Sequence, residues 1–202
     1  MMVKCVISDL GKVLLFFDNF IFFRKIAECS PLSAEDIAER FHRHRELIRS
    51  FDTGKIEPAD FYAEVVQKLE ANVGEKSFFL MYNDVFSLNP PVLDLLRKLR
   101  TNHQTILLSN TDVERFGFIR KKFPEILLFD QYVLSYEVGY MKPHPEIYAE
   151  ALKKARVPAG ECVFLDDLPE NIEGAQRLGM NAILYGHRTD LEVRLKQLDV
   201  AI

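Results

Sequence analysis

Val6-Ile7-Ser8-Asp9 is a short apolar run that stops on an acid, and the same shape recurs later in the chain. Thr105-Ile106-Leu107-Leu108 runs into Ser109-Asn110, and Val163-Phe164-Leu165 runs into Asp166-Asp167. Short, largely apolar runs of this kind read as strands buried on both faces. In an open parallel sheet, ligands bind outside the carboxyl ends of the strands. Strands that all turn polar at that end are therefore expected to build one site together. Lys142 falls between them, giving the order acid, hydroxyl, lysine, acid pair.

Outward from these runs, residues 3–8 form the first expected strand, and a long helical region follows from about Asn19 to Phe86. Ser33 with Asp36 makes a capping-box start for a helix running to Asp52, where Thr53-Gly54 ends it. Pro58 suits the first turn of the next helix, through Phe61, Val65 and Leu69, and a further helix is expected over Glu75–Phe86. Asn89-Pro90-Pro91 then stops and restarts the chain. Beyond it helix and strand alternate: Val92–Leu99, Thr105–Leu108, Val113–Lys122, Tyr132–Leu134, Glu146–Ala155, Cys162–Leu165, Asn171–Leu178, Ala182–Leu184 and a terminal helix. Such alternation with short links predicts an α/β fold, a Rossmann-like parallel sheet covered on both faces. The expected division is a core of residues 1–17 and 89–202, with residues 18–88 an all-helical insertion.

The 202 residues suffice for one good core with a smaller insert, and 48% hydrophobic with 28% charged content is ordinary for a globular protein. A net charge of -4 argues against nucleic acid as a partner, since phosphate backbones demand a concentrated basic face. The three cysteines, Cys5, Cys29 and Cys162, lack metal-site spacing and read as reduced thiols of a cytoplasmic protein. The greasy stretch from Val13 to Phe23 is too short to span a membrane and is broken by Asp18 and Asn19. With Asp9 ahead of it and no small-residue cleavage site behind it, it does not read as a signal peptide either.

Asp9 precedes Leu10-Gly11, a glycine that lets backbone approach a ligand closely. Alone, such an aspartate is often only a turn or cap residue. Together with Asp166 and Asp167 it forms a carboxylate group that would repel itself unless a cation sat among its members. Oxygen-only ligands favour Mg²⁺, which takes one or two carboxylates together with phosphate oxygens and water. Ser109-Asn110 closes a strand and is expected to open a helix whose free N–H groups could hold phosphate, although either residue also serves as a plain cap. Lys142, extended by the proline after it, is presented from a loop and reads either as a site lysine or as a solvated one. His144 reads as a loop or cap residue, and Asn171 as a helix-start residue able to bond the acidic loop. Arg40, His42, Arg43, His44, Arg45 and Arg49 cluster within the insertion and read as a solvated face, or, if turned inward, as a holder of anionic substrate.

In this order the residues resemble the haloacid dehalogenase-like (HAD) hydrolase superfamily along essentially the whole chain. Its four motifs stand as Asp9-Leu10-Gly11-Lys12-Val13, Leu108-Ser109-Asn110, Lys142-Pro143 and Leu165-Asp166-Asp167. The segments Lys142–Tyr148, Asp167–Gly179 and Asp52–Ile56 are similar to the helical-cap phosphatases, including bacterial α-glucose-1-phosphate phosphatases and the phosphatase domain of soluble epoxide hydrolase. The resemblance implies a phosphatase for a small phosphorylated metabolite such as a sugar phosphate. Asp9 would be the nucleophile and form an aspartyl-phosphate. Mg²⁺ would be held by Asp9, the Gly11 carbonyl and Asp167, with Asp166 and Asn171 in support. Ser109 and Asn110 would hold phosphoryl oxygens, and Lys142 would neutralise charge on nucleophile and phosphate.

One position departs from the family pattern. Most of its phosphatases carry a second aspartate, the general acid/base, where this chain has Gly11. The loss removes an aid worth about 10²–10⁴-fold and should weigh most on poor leaving groups. Two other readings stay open: a metal-independent dehalogenase in which the same aspartate attacks carbon, and, encouraged by Gly11, a phospho-ligand binder without turnover.

Overall fold

Strand β1 (Cys5–Ser8) is apolar on both faces, and all four of its residues are buried. A strand without a polar face must lie inside a sheet, and β1 is the central strand. The computed structural model describes residues 2–186 and 188–202. The remaining strands are β2 (Leu15–Phe17), β3 (Phe86–Leu88), β4 (Gln104–Ser109), β5 (Gln131–Leu134), β6 (Cys162–Asp166) and β7 (Asn181–Leu184). The main sheet has the order β5-β4-β1-β6-β7, and each neighbouring pair is parallel. Ser8 is in register with Leu107 on one side and Leu165 on the other, so the chain leaves β1, β4 and β6 at the same edge.

The helices that follow are α1 (Asn19–Ala27), α2 (Ala34–Arg43), α3 (Arg45–Asp52), α4 (Pro58–Lys68) and α5 (Glu75–Asn83). After them come α6 (Pro90–Leu99), α7 (Val113–Lys122), α8 (Ser135–Val138), α9 (Pro145–Ala155), α10 (Pro169–Arg177) and α11 (Leu191–Lys196). The alternation after Asn89 matches the expected α/β pattern closely, because each element is a short apolar run punctuated by Pro, Gly or a cap residue. One face of the sheet is covered by a core with Leu93, Leu96, Leu99 and Leu195, and the other by one with Ile147, Tyr148, Ala151 and Ile172.

Helices α1–α5 have a separate core built largely of aromatic rings, among them Phe22, Phe41, Phe51, Phe61, Phe78 and Tyr82. Phe51 stacks on Phe61 at 4.1 Å, and Phe22 meets Phe78 edge-on at 5.6 Å. The capping box at Ser33 and Asp36 is formed, but the helix it starts stops at Arg43. A new helix begins at Arg45 after His44, whose N–H reaches both Arg40 and Phe41 carbonyls. On one straight helix Phe41 and Phe51 would point roughly 80° apart; the break lets both rings enter the same core.

Two strands were not legible in the pattern. Leu15–Phe17 pairs antiparallel with Phe86–Leu88, so the helical segment is joined to the sheet through a two-stranded ribbon. Both strands have only three residues, too short for an alternation to register, and Phe86 was expected to end a helix.

Candidate active site

Asp9 leaves β1 with its N–H bonded to the Leu165 carbonyl at 2.8 Å. The chain then hooks back tightly, for the Leu10 carbonyl accepts from both Leu14 and Leu15, and Lys12 adopts a left-handed φ of 54°. That hook turns Gly11 and Lys12 towards the carboxyl edge of the sheet. Lys142 arrives from the loop before α9, and its side chain is 1% exposed. Its Nζ lies 2.6 Å from Asp9 Oδ1 and 2.7 Å from Asp166 Oδ2. Lys142 is thus a buried cation between two carboxylates rather than a solvated lysine.

Asp166 and Asp167 differ sharply in surroundings. Asp166 is fully buried; beyond Lys142 it accepts from the Leu168 N–H at 2.9 Å and from Asn171 Nδ2 at 2.9 and 3.1 Å. Asn171, itself buried in α10, is turned back onto the acidic loop. Asp167 is only partly buried and borders an open cleft. Asp9, Asp166 and Asp167 offer carboxylate oxygens within 4.8 Å of one another. Burial pushes the Asp9 carboxyl up to about 7, with Lys142 pulling it down and Asp166 adding to the rise. Asp167 is raised as well, by burial and by Asp166, against the pull of Lys12. Burial alone would lower the Lys142 pKa, but Asp9 and Asp166 overcome that and hold it above its ordinary value. Three converging carboxylates facing one ammonium leave excess negative charge, and an all-oxygen set of this kind fits a hard divalent cation such as Mg²⁺.

Ser109 ends β4 and is buried at the carboxyl edge of the sheet. The Asn110 side chain is doubly engaged with the Lys142 backbone, donating to its carbonyl at 3.0 Å and accepting its N–H at 2.8 Å. Asn110 therefore holds the Lys142 loop in place, which no spacing argument could reveal. Helix α7 begins at Val113, as the alternation predicts, so Ser109-Asn110 does not itself open it; its cap is Asp112, which accepts the Arg115 N–H at 2.8 Å. A carboxylate cap occupies the N–H groups that a phosphate would otherwise use. His144 stands at the N-cap position of α9 and stacks on Tyr140 at 4.7 Å.

The basic cluster of the insertion is largely solvent-facing and paired: Arg40 with Glu70, Arg43 with Glu39, and Arg49 with Glu46. Arg49 also lines an open cleft of about 550 Å³ against the Lys142 loop.

Sequence reasoning missed a buried polar group where the helical insert meets the sheet edge. Tyr82 donates to Asp112 Oδ2 at 3.1 Å, and the Arg115 guanidinium lies 4.0 Å above the Tyr82 ring while bonding Asn19 Oδ1 at 3.2 Å. Burial, reinforced by Asp112, pushes the Asp52 carboxyl up to about 7, with Arg115 pulling the other way. It also missed Phe17, whose Cε1 would lie 3.1 Å from a Cβ placed on Gly11. The sequence signals for the first group were Asp112 following Ser109-Asn110-Thr111 and Asp52 at the head of the Asp52–Ile56 segment, and Phe17 gave none.

Comparison with known proteins adds to this geometry. The family described as haloacid dehalogenase-like hydrolase matches residues 3–179. The chain is 23% identical to drimenol cyclase drtB of Aspergillus calidoustus over 98% of its own length, but spans only 37% of that protein. It is 28% identical to sesquiterpene phosphatase astK of Aspergillus oryzae, covering 93% of this chain and 90% of the relative. A crystal structure of a HAD family enzyme from Bacteroides thetaiotaomicron, in complex with magnesium and inorganic phosphate, superposes with a TM-score of 0.85 at 27% identity, over 95% of this chain and 98% of that one.

Proposed function

The chain belongs to the haloacid dehalogenase-like hydrolase family, and from that premise we propose a Mg²⁺-dependent phosphatase that acts on small phosphorylated metabolites through an aspartyl-phosphate. The observation that carries this reading is Asp9, held at the sheet edge by buried Lys142 at 2.6 Å, with two further carboxylates within metal-sharing distance. A dehalogenase aspartate attacking carbon could use Asp166 to hold Lys142 but would have no use for a second carboxylate, Asp167, at the open cleft. The phosphatase named among the relatives and the magnesium and phosphate in the bacterial crystal support the same choice.

Asp9, the Gly11 carbonyl and Asp167 would hold the Mg²⁺, which when bound neutralises charge on the phosphoryl group. Asp9 Oδ is the nucleophile, and Lys142 favours its ionised form and aims it while balancing the charge that gathers on phosphorus oxygens. Asp166, pinned by Asn171 and the Leu168 N–H, fixes the Lys142 ammonium from its other side. Ser109 supplies a hydroxyl to the phosphoryl oxygens. Asn110 acts by fixing the Lys142 loop. Residues 18–88 would form a cap over the sheet edge, joined through the β2–β3 ribbon. A panel of phosphate esters assayed with Mg²⁺ and with chelator tests the proposal: metal-dependent release of inorganic phosphate supports it, and equal rates in chelator oppose it.

A further inference from the structure

The family's acid position is not simply empty in this protein. Phe17 packs against Gly11 so closely that a Cβ there would press on its ring at 3.1 Å. The ring is held across the ribbon by register pairing with Phe86, at 5.9 Å between centroids. Phe17 also forms one wall of a cleft of about 430 Å³, together with Lys12, Phe16, Asp167, Tyr185 and Gly186. Tyr185 is fixed in its wall: Asn89 Nδ2 bonds its hydroxyl at 2.9 Å, and its N–H bonds the Asp166 carbonyl at 2.8 Å. Asn89 also donates to the Val13 carbonyl at 2.7 Å, so one side chain ties the hook over Leu10–Leu15 to the Tyr185 wall. The cleft is therefore a built feature, aromatic on its sides and open at Asp167 to the carboxylate group.

Lys12 supplies its cation. The Nζ lies 5.6 Å from the Phe17 ring centroid. A pocket of this volume fits a one- or two-ring group. Without a carboxylic acid at Gly11 to protonate it, the leaving oxygen departs most readily when it is a stabilised oxide. Aromatic walls, an ammonium and a glycine at the acid position all favour the same chemistry.

Resting on the phosphatase reading, we infer that this cleft is the leaving-group subsite and that it selects aryl phosphate monoesters. The aryl ring seats between Phe16, Phe17 and Tyr185. As the Asp9 Oδ–phosphorus bond forms, the phosphorus–aryl oxygen bond breaks and its electron pair stays on the aryl oxygen. The aryloxide is shielded by Lys12 and takes its proton from solvent. Water then cleaves the aspartyl-phosphate, releasing inorganic phosphate and restoring Asp9.

The test uses the whole chain with Mg²⁺ and four esters: phenyl phosphate, 2-naphthyl phosphate, glycerol 3-phosphate and ribitol 5-phosphate. The aryl esters should exceed the polyol esters in kcat/KM by about 10²-fold or more. Phe16→Ala should raise the KM for 2-naphthyl phosphate relative to glycerol 3-phosphate by about five- to tenfold, the loss of a partly buried ring contact. Phenylphosphonate should inhibit better than methylphosphonate, and the same variant should narrow that gap. Polyol esters turned over as well as aryl esters, or an unchanged KM ratio in Phe16→Ala, overturns the inference while leaving the phosphatase standing. Absence of turnover with every ester overturns the phosphatase reading and the inference with it.

Discussion

Replacing Lys142 by methionine removes the ammonium but keeps the stem, and the structure sets the size of the result. The Nζ contacts Asp9 at 2.6 Å and Asp166 at 2.7 Å, with the lysine side chain 1% exposed. At an effective dielectric of about 20 each contact has a Coulomb energy of roughly 6 kcal/mol. Desolvating the three ions cancels most of that, so the intact cluster contributes little net stability. Removing the cation alone forfeits the attraction while both carboxylates stay out of water, which costs about 3–5 kcal/mol. Lys142→Met should therefore lower the free energy of unfolding by that amount in metal-free buffer, measured by urea titration. Mg²⁺ should raise the midpoint of the variant more than that of the wild type, because a divalent cation replaces the missing charge. Residual kcat/KM should fall by about 10²–10³-fold, as for loss of one transition-state charge contact. A stability loss under about 1 kcal/mol, or no added response to Mg²⁺, would refute the idea that this lysine balances the cluster.

Asp166→Ala should destabilise the protein by about 3–5 kcal/mol because it strands Lys142 and Asn171, whereas Asp167→Ala should leave urea stability nearly unchanged and raise the Mg²⁺ concentration needed for half-maximal activity. Gly11→Asp should not restore an acid by itself, since its Cβ meets Phe17; a flatter dependence of rate on leaving-group basicity should emerge only with Phe17→Ala added, as a graded ester series would reveal. The Asp52 carboxyl is raised from 3.8 to about 7, so the folded state binds an extra proton between those values and stability falls as pH rises through that window. Asp52→Asn abolishes this fall: after allowance for solvent screening the variant should gain about 1–2 kcal/mol at pH 8 and nothing near pH 4, and a larger gain in acid than in base would reverse the assignment.

The parallel sheet was legible because its strands are uninterrupted apolar runs and the links carry Pro, Gly or cap residues; Val113–Lys122 was placed to the residue. The order of acid, hydroxyl, lysine and acid pair likewise survives folding, because strands in register deliver their last residues to one edge. What stayed hidden depended on contacts between distant residues. Nothing local says that the Asn110 amide grips the Lys142 backbone, or that Phe17 leans on Gly11. The ribbon was invisible because three-residue strands carry no period, and the break at His44 because each half of that segment is helical by itself. Lys142 shows the limit most clearly. Its neighbours in sequence describe a surface loop, while its burial is decided by Asp9 and Asp166 from two other strands.

The most direct measurement is a rapid acid quench of the protein turning over an aryl phosphate with Mg²⁺, followed by mass spectrometry of the peptide spanning β1. The wild type should carry a phosphoryl adduct on Asp9 and Asp9→Asn none, and that variant should also be inactive. An adduct on another residue, or turnover by Asp9→Asn near the wild-type rate with deamidation excluded, would contradict it.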